Sequence, residues 1–86
     1  RLVVQANVAN GQKDYAQAIE LYEKAIALDP VAYPAAYFNL ALLWAQEKAP
    51  LSAIHYMKHY LLLVPDAPDA RSAQDKIYEW ELSSKK

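Results

Sequence analysis

The sequence contains no cysteine and only one glycine, and both shortages exclude classes of functional site. Without cysteine the chain has no disulfide, no thiol nucleophile and no zinc–thiolate site, although the compartment stays open. A lone glycine, Gly11, cannot form the glycine-rich loop that binds phosphate groups. An activated serine nucleophile requires a base arranged beside it, and the sequence shows no such arrangement at any serine. The serines are Ser52, Ser72, Ser83 and Ser84. We therefore expect neither an enzyme nor a cofactor.

The chain also lacks an excess of charge of one sign and a long apolar run. Nine basic residues against ten acidic ones give a formal net charge of -1, whereas a nucleic-acid binder carries a basic patch. Polar and charged residues interrupt the apolar ones throughout, so stretches such as Tyr60–Val64 fall far short of the ~18 residues that a membrane span requires. We expect no nucleic-acid partner and no membrane insertion.

The length and the first residues bear on domain organisation. Eighty-six residues form one domain or a fragment of one, because two separate cores would each be too small. The chain opens at Arg1 without an initiator methionine and without a signal-peptide pattern, so we expect a fragment of a longer protein. The cytosol and a bacterial periplasm are equally compatible with a cysteine-free domain of this kind.

Prolines divide the chain into helical segments. Proline is tolerated in the first turn of a helix but not in its interior, so it marks boundaries. The five prolines are Pro30, Pro34, Pro50, Pro65 and Pro68. Between them apolar residues recur at spacings of three and four, the period of a helix that buries one face. We predict five helices and no sheet, the first over Leu2–Asn10 and the last over about 69–83, with Asp14 and Asp69 as N-caps.

One helical sequence pattern occurs twice along the chain. Residues 16–30 read AQAIELYEKAIALDP and residues 51–65, 35 positions later, read LSAIHYMKHYLLLVP. Identical residues stand at four equivalent positions, namely Ala18 and Ala53, Ile19 and Ile54, Leu28 and Leu63, and Pro30 and Pro65. Short helices repeated at this interval are typical of a helical solenoid, in which each pair buries its apolar face on the next.

The repeated pattern resembles the tetratricopeptide repeat (TPR), whose signature is W-x2-L-G-x2-Y, then A-x3-F, then P. The second copy matches as Tyr37-x2-Leu40-Ala41-x2-Trp44, then Ala53-x3-Met57, then Pro65, and the first as Ala18-x3-Tyr22, then Ala25, then Pro30. Departures from the signature stand at Gln5, Ala6, Pro50 and Tyr60. Because Tyr60 replaces a small residue, the second helix pair is expected either to splay or to pack on the last helix.

The resemblance implies an all-α fold in which antiparallel helix pairs form a short right-handed solenoid. Under this interpretation residues 1–86 form a single TPR-like domain. Its first repeat covers about 1–32, its second about 33–67 and its capping helix about 69–83, followed by a polar tail at 84–86.

The resemblance also implies the function, a non-enzymatic scaffold whose first helices line a concave groove for a peptide of a protein partner. The equivalent groove positions here are Val3, Val4, Asn7, Asn10, Phe38, Asn39, Leu42, Ala45 and Gln46. For Phe38 and Leu42, packing on the capping helix is an equal alternative. Asn39 could also be no more than the common family residue at its position.

A second hypothesis is a self-association or intramolecular stacking element of a larger protein, because about three repeats are usually needed to bury a continuous core. The aromatic residues expected at such an interface are Tyr33, Tyr78 and Trp80.

Two sharper ligand hypotheses are disfavoured. Some TPR relatives clamp the C-terminal carboxylate of a chaperone with two asparagines plus lysine and arginine, but the basic positions here hold Val3, Asp69 and Ala73. His55 and His59 lie four residues apart on one helix face, yet their counterparts in the first repeat are ordinary surface residues, so we interpret them as solvated and expect no metal site.

Overall fold

The chain folds into five helices, as predicted. The computed structural model describes residues 1–85, in which no strand occurs. The helices are α1 (Leu2–Gly11), α2 (Tyr15–Leu28), α3 (Pro34–Gln46), α4 (Pro50–Leu63) and α5 (Ala70–Ser84). Of the predicted polar tail, Ser84 still belongs to α5 and Lys86 lies outside the described residues.

The starts of α2 to α5 coincide with prolines or with predicted N-cap residues. Pro34 and Pro50 are the first residues of α3 and α4, where a missing backbone N–H costs nothing. The side chain of Asp14 accepts from the backbone N–H of Gln17 at 3.4 Å and so caps α2. Asp69 occupies the N-cap position of α5, as predicted, but its carboxylate makes no cap hydrogen bond and accepts instead from Tyr60.

The first helix of each pair ends in the same turn. Lys13 and Lys48, 35 residues apart, have φ of 65° and 62°, in the left-handed region that favours glycine. The backbone N–H groups of Lys13 and Lys48 donate to the carbonyl oxygens of Asn10 and Ala45. The backbone N–H that follows each lysine donates to the carbonyl oxygen one residue earlier in the helix. This is the Schellman motif with lysine where glycine is usual.

The core consists of two adjoining clusters, one for each helix pair and the helix that follows it. The first is formed by α1, α2 and α3, with Ala6, Ala9, Ala18, Ile19, Leu21, Tyr22, Ala36, Leu40 and Leu43. The second is formed by α3, α4 and α5, with Tyr37, Ala41, Ile54, Met57, Tyr60, Ala73 and Ile77. Ile26 and Tyr56 pack against both, so the clusters make one continuous interior.

The repeated alanines allow the helices to pack closely. Ala18 and Ala53 have no exposed surface, and neither do Ala6 and Ala41 on the helices that face them. Equivalent small residues therefore set the spacing of both pairs.

Tyr60 marks the difference between the two pairs. It occupies the position that Ala25 holds in the first pair, and it packs with Ala73 and Ile77 of α5 in the second cluster. The second pair is therefore packed on the last helix. No helix within residues 1–85 is both long enough and apolar enough to cross a membrane.

Candidate functional site

Three of the expected groove asparagines surround the hydroxyl of one buried tyrosine. Tyr22 of α2 has no exposed surface, and its hydroxyl donates to Oδ1 of Asn7 on α1. The same hydroxyl accepts from Nδ2 of Asn39 on α3 at 3.1 Å. Desolvation of the buried ring raises the pKa of Tyr22, and the side chains of Asn39 and Asn10 oppose that shift. Tyr22 thus stays neutral and links the first helices of the two pairs.

These hydrogen bonds determine which groups the carboxamides have left for a ligand. A carboxamide carries two N–H donors and one oxygen acceptor. The oxygen of Asn7 is occupied by Tyr22, so both N–H donors remain. One N–H of Asn39 is occupied, so its second N–H and its oxygen remain. Together the two side chains offer donors and an acceptor of the kind that a peptide backbone pairs with.

The apolar residues of the expected groove differ in exposure. Val4 on α1 is 63% exposed and Leu42 on α3 is 37% exposed, so both have surface available to a ligand. Val3 is half-buried against the first cluster. Phe38 is half-buried as well, and its ring packs edge-on to Tyr60 with centroids 5.1 Å apart. Phe38 therefore has a clear packing role, whereas Leu42 is freer.

The far end of α3 lies beside one of the expected interface residues. Ala45 lines a cavity of about 290 Å³ together with Lys48, Pro50, Trp80 and Ser83. Trp80 was expected to be exposed, but it is half-buried because its ring packs against the second cluster. Gln46 is exposed at the end of α3.

The two remaining aromatic candidates lie on different elements and line no common cavity. Tyr33 is exposed in the loop before α3, where it lines a cavity of about 270 Å³ with Val3 and Leu28. Tyr78 is 57% exposed on α5. The structure therefore does not bring Tyr33 and Tyr78 together in one patch.

The positions of the two disfavoured ligand sites are also defined. Ala73 is fully buried and Asp69 is bound to Tyr60, so neither position offers a basic group to a carboxylate. His55 is exposed, as expected for a solvated face. His59 is not: it is half-buried and stacks on Tyr37, with ring centroids 4.2 Å apart and planes at 9°.

The hydroxyl of Tyr22 is the part of the site that the sequence pattern did not indicate. The repeat signature has an aromatic residue at this position, which accounts for the buried ring of Tyr22 but not for its hydroxyl, and the counterpart Met57 is also fully buried. The available signal was chemical, because a tyrosine at a buried position needs a hydrogen-bond partner that phenylalanine or methionine would not.

Comparison with known families gives a match. Residues 7–46 match the sequence model of the TPR repeat, over a stretch that contains the whole of α2 and α3 and the second half of α1. Comparison with curated proteins gives no match. The match over residues 7–46 and the five helices, which stack as antiparallel pairs, support a tetratricopeptide-repeat domain.

Proposed function

We propose that this domain is a non-enzymatic scaffold that holds a peptide segment of a partner protein across α1 and α3. TPR repeats generally mediate protein–protein interaction. In this proposal the two repeat units span about residues 1–32 and 33–67, and α5 closes the array. The groove is formed by the nine residues expected from the family pattern.

The observation that carries the proposal is the hydrogen-bonded asparagine cluster beside exposed apolar side chains. Asn7 and Asn39 retain donors and an acceptor for a peptide backbone, while Val4 and Leu42 offer apolar surface to its side chains. A polar group with unused hydrogen-bonding capacity next to apolar surface is the usual composition of a recognition site.

The experiment is a binding titration of the domain against a peptide library, with each peptide offered with a free and with an amidated C-terminus. The groove variant is Asn39→Ala combined with Leu42→Ala. Its matched control is Leu51→Ala, which truncates an exposed leucine on α4, a helix that contributes none of the nine groove residues. Binding that is lost in the groove variant and kept in the control supports the proposal.

The opposite outcomes are equally definite. Equal binding by the groove variant and the wild type would place the ligand elsewhere. The absence of binding up to ~1 mM peptide, the weak end of useful affinity, would reject a groove function. Dependence on a free C-terminus would indicate a carboxylate clamp built from other residues than those of its relatives.

A second candidate function, end-to-end stacking or self-association, is favoured by one specific surface. Between α4 and α5 lies a cavity of about 350 Å³ lined by Lys58, Leu61, Leu62, Gln74 and Ile77. Leu62 beside it is 80% exposed, and Tyr78 and Leu82 are exposed on α5. A terminal repeat with a polar outer face would not carry such side chains.

The two functions predict different results for one variant. Leu62→Glu combined with Leu82→Glu should lower the mass in solution if copies associate through this end, and it should leave peptide affinity unchanged. Unchanged mass at ~100 μM protein, well above the Kd of a specific dimer, would reject self-association through this surface.

A further inference from the structure

We propose that Tyr22 is a positioning residue for peptide binding, whose buried hydroxyl holds Asn7 with its N–H donors toward the ligand and Asn39 with its oxygen toward the ligand. The inference rests on the proposed groove function and adds to it a residue outside the groove, on the second helix.

The chemistry of a hydroxyl gives the arrangement its direction. A tyrosine O–H has one proton, and here that proton is donated to Oδ1 of Asn7. The hydroxyl oxygen can then only accept, and it accepts from Nδ2 of Asn39. An isolated surface carboxamide can turn over and exchange its oxygen for its nitrogen. The two carboxamides bonded to this hydroxyl must instead present opposite faces to it, and here these are the oxygen of Asn7 and the N–H of Asn39.

The burial of the ring indicates that the hydroxyl is not needed for packing. Tyr22 lies in the first core cluster with no exposed surface, and its counterpart Met57 fills the equivalent position of the second cluster without any hydrogen bond to a groove asparagine. Phenylalanine would fill the same volume. Placing a hydroxyl there carries a desolvation cost that two hydrogen bonds to the groove asparagines offset.

Tyr22→Phe tests the inference, because it removes the hydroxyl and keeps the ring. We expect peptide affinity to fall by roughly fivefold to tenfold, the size typical of coupling within one hydrogen-bonded network. In the background of Asn7→Ala and Asn39→Ala, the same substitution should change the residual affinity less than about twofold. Tyr37→Phe is the matched control, since it removes a buried hydroxyl that donates to the backbone of Pro30 and contacts neither asparagine.

An equal loss in both backgrounds, or an equal loss in the Tyr37→Phe control, would overturn the inference, because the effect would then be one of general stability. A ligand-free readout separates this result from failure of the groove itself. In the wild type the Nδ2 hydrogen of Asn39 that is bonded to Tyr22 should exchange with water more slowly by NMR than in Tyr22→Phe, so the substitution should change the ratio of the two Nδ2 exchange rates.

If no peptide binds but these rates respond to Tyr22→Phe, the groove function fails and the fixed orientation stands. If the rates do not respond, the positioning role is overturned whatever the peptides do.

Discussion

The hydroxyl of Tyr60 on α4 donates a hydrogen bond of 2.6 Å to Asp69, the residue immediately before α5. In the first helix pair the equivalent position holds Ala25, whose methyl group cannot donate a hydrogen bond. The side chain that departs most from the repeat pattern thus attaches the last helix to the second pair.

Tyr60→Phe should lower the free energy of unfolding by about 1.5–3 kcal/mol, the usual range for a hydrogen bond to a charged acceptor. Urea denaturation checks this as a fall in midpoint at an unchanged slope. Asp69→Ala should cost much less in the Tyr60→Phe background than in the wild type. Additive losses would mean that the two residues do not act as a pair.

Alkaline pH should destabilise the fold through two tyrosines. The hydrogen bond to Asp69, with burial second, raises the pKa of Tyr60 to about 12. Burial, with the charge of Glu23 second, raises the pKa of Tyr56 to about 12 as well. Between pH 10, where an unfolded tyrosine ionises, and pH 12, the folded chain holds protons that the unfolded chain has lost.

Stability should therefore be constant with respect to these groups below pH 10 and fall as pH rises from 10 to 12. Full linkage is about 1.4 kcal/mol per pKa unit for each group, and partial exposure of Tyr56 reduces its share. Thermal melts from pH 8 to 12 check this. Tyr56→Phe with Tyr60→Phe should flatten the fall in part, leaving the contribution of Tyr22 and Tyr37, whose pKa values are also raised. An unchanged fall would contradict the assignment.

Much of the fold could be predicted because its determinants are local. Prolines at the first positions of α3 and α4 and apolar residues at helical spacing lie within a few residues of the structure they specify. The burial of Ala18 and Ala53 also follows from the repeat, since equivalent residues occupy equivalent places.

The failures come from contacts between distant parts of the chain. Asp69 has a side chain suited to N-capping, but its carboxylate accepts a hydrogen bond from the hydroxyl of Tyr60, nine residues earlier, and not from the backbone of α5. His59 was judged by its counterpart Lys24, which pairs with Glu20 on the surface. The ring of Tyr37, which stacks on His59, has no aromatic counterpart in the first repeat.

The groove was predicted as a set of positions and not as a network. Asn7, Tyr22 and Asn39 are 15 and 17 residues apart and lie on three helices, so no spacing rule joins them. Only the folded chain shows that two groove side chains share one hydroxyl.

Glycine at the lysine turns should stabilise the fold. Lys48 has a positive φ, which costs a residue with a Cβ atom about 1–2 kcal/mol relative to glycine. Lys48→Gly should therefore raise the free energy of unfolding by roughly 0.5–1 kcal/mol after the loss of chain entropy is counted. Lys48→Ala removes the same charge without relieving the backbone, and stabilisation by both variants would show that charge and not conformation is responsible.

Truncation of Phe38 and of Leu42 should show which of these α3 side chains packs in the interior and which is available to a ligand. Phe38→Ala removes the ring that packs on Tyr60 and should lower the free energy of unfolding by about 2 kcal/mol, less than a fully buried phenylalanine would. Leu42→Ala should cost less than about 1 kcal/mol, since its side chain is partly solvated already. Urea denaturation of both variants checks the order. Equal costs would assign Leu42 to the core as well.

The most direct test of the groove is NMR of the 15N-labelled domain during titration with a peptide that binds. We expect the largest chemical-shift changes to map to α1 and α3, including the side-chain amides of Asn7 and Asn39. Changes confined to α5 and the exposed end of α4 around Leu62 would contradict the groove and place the interaction at the end of the stack.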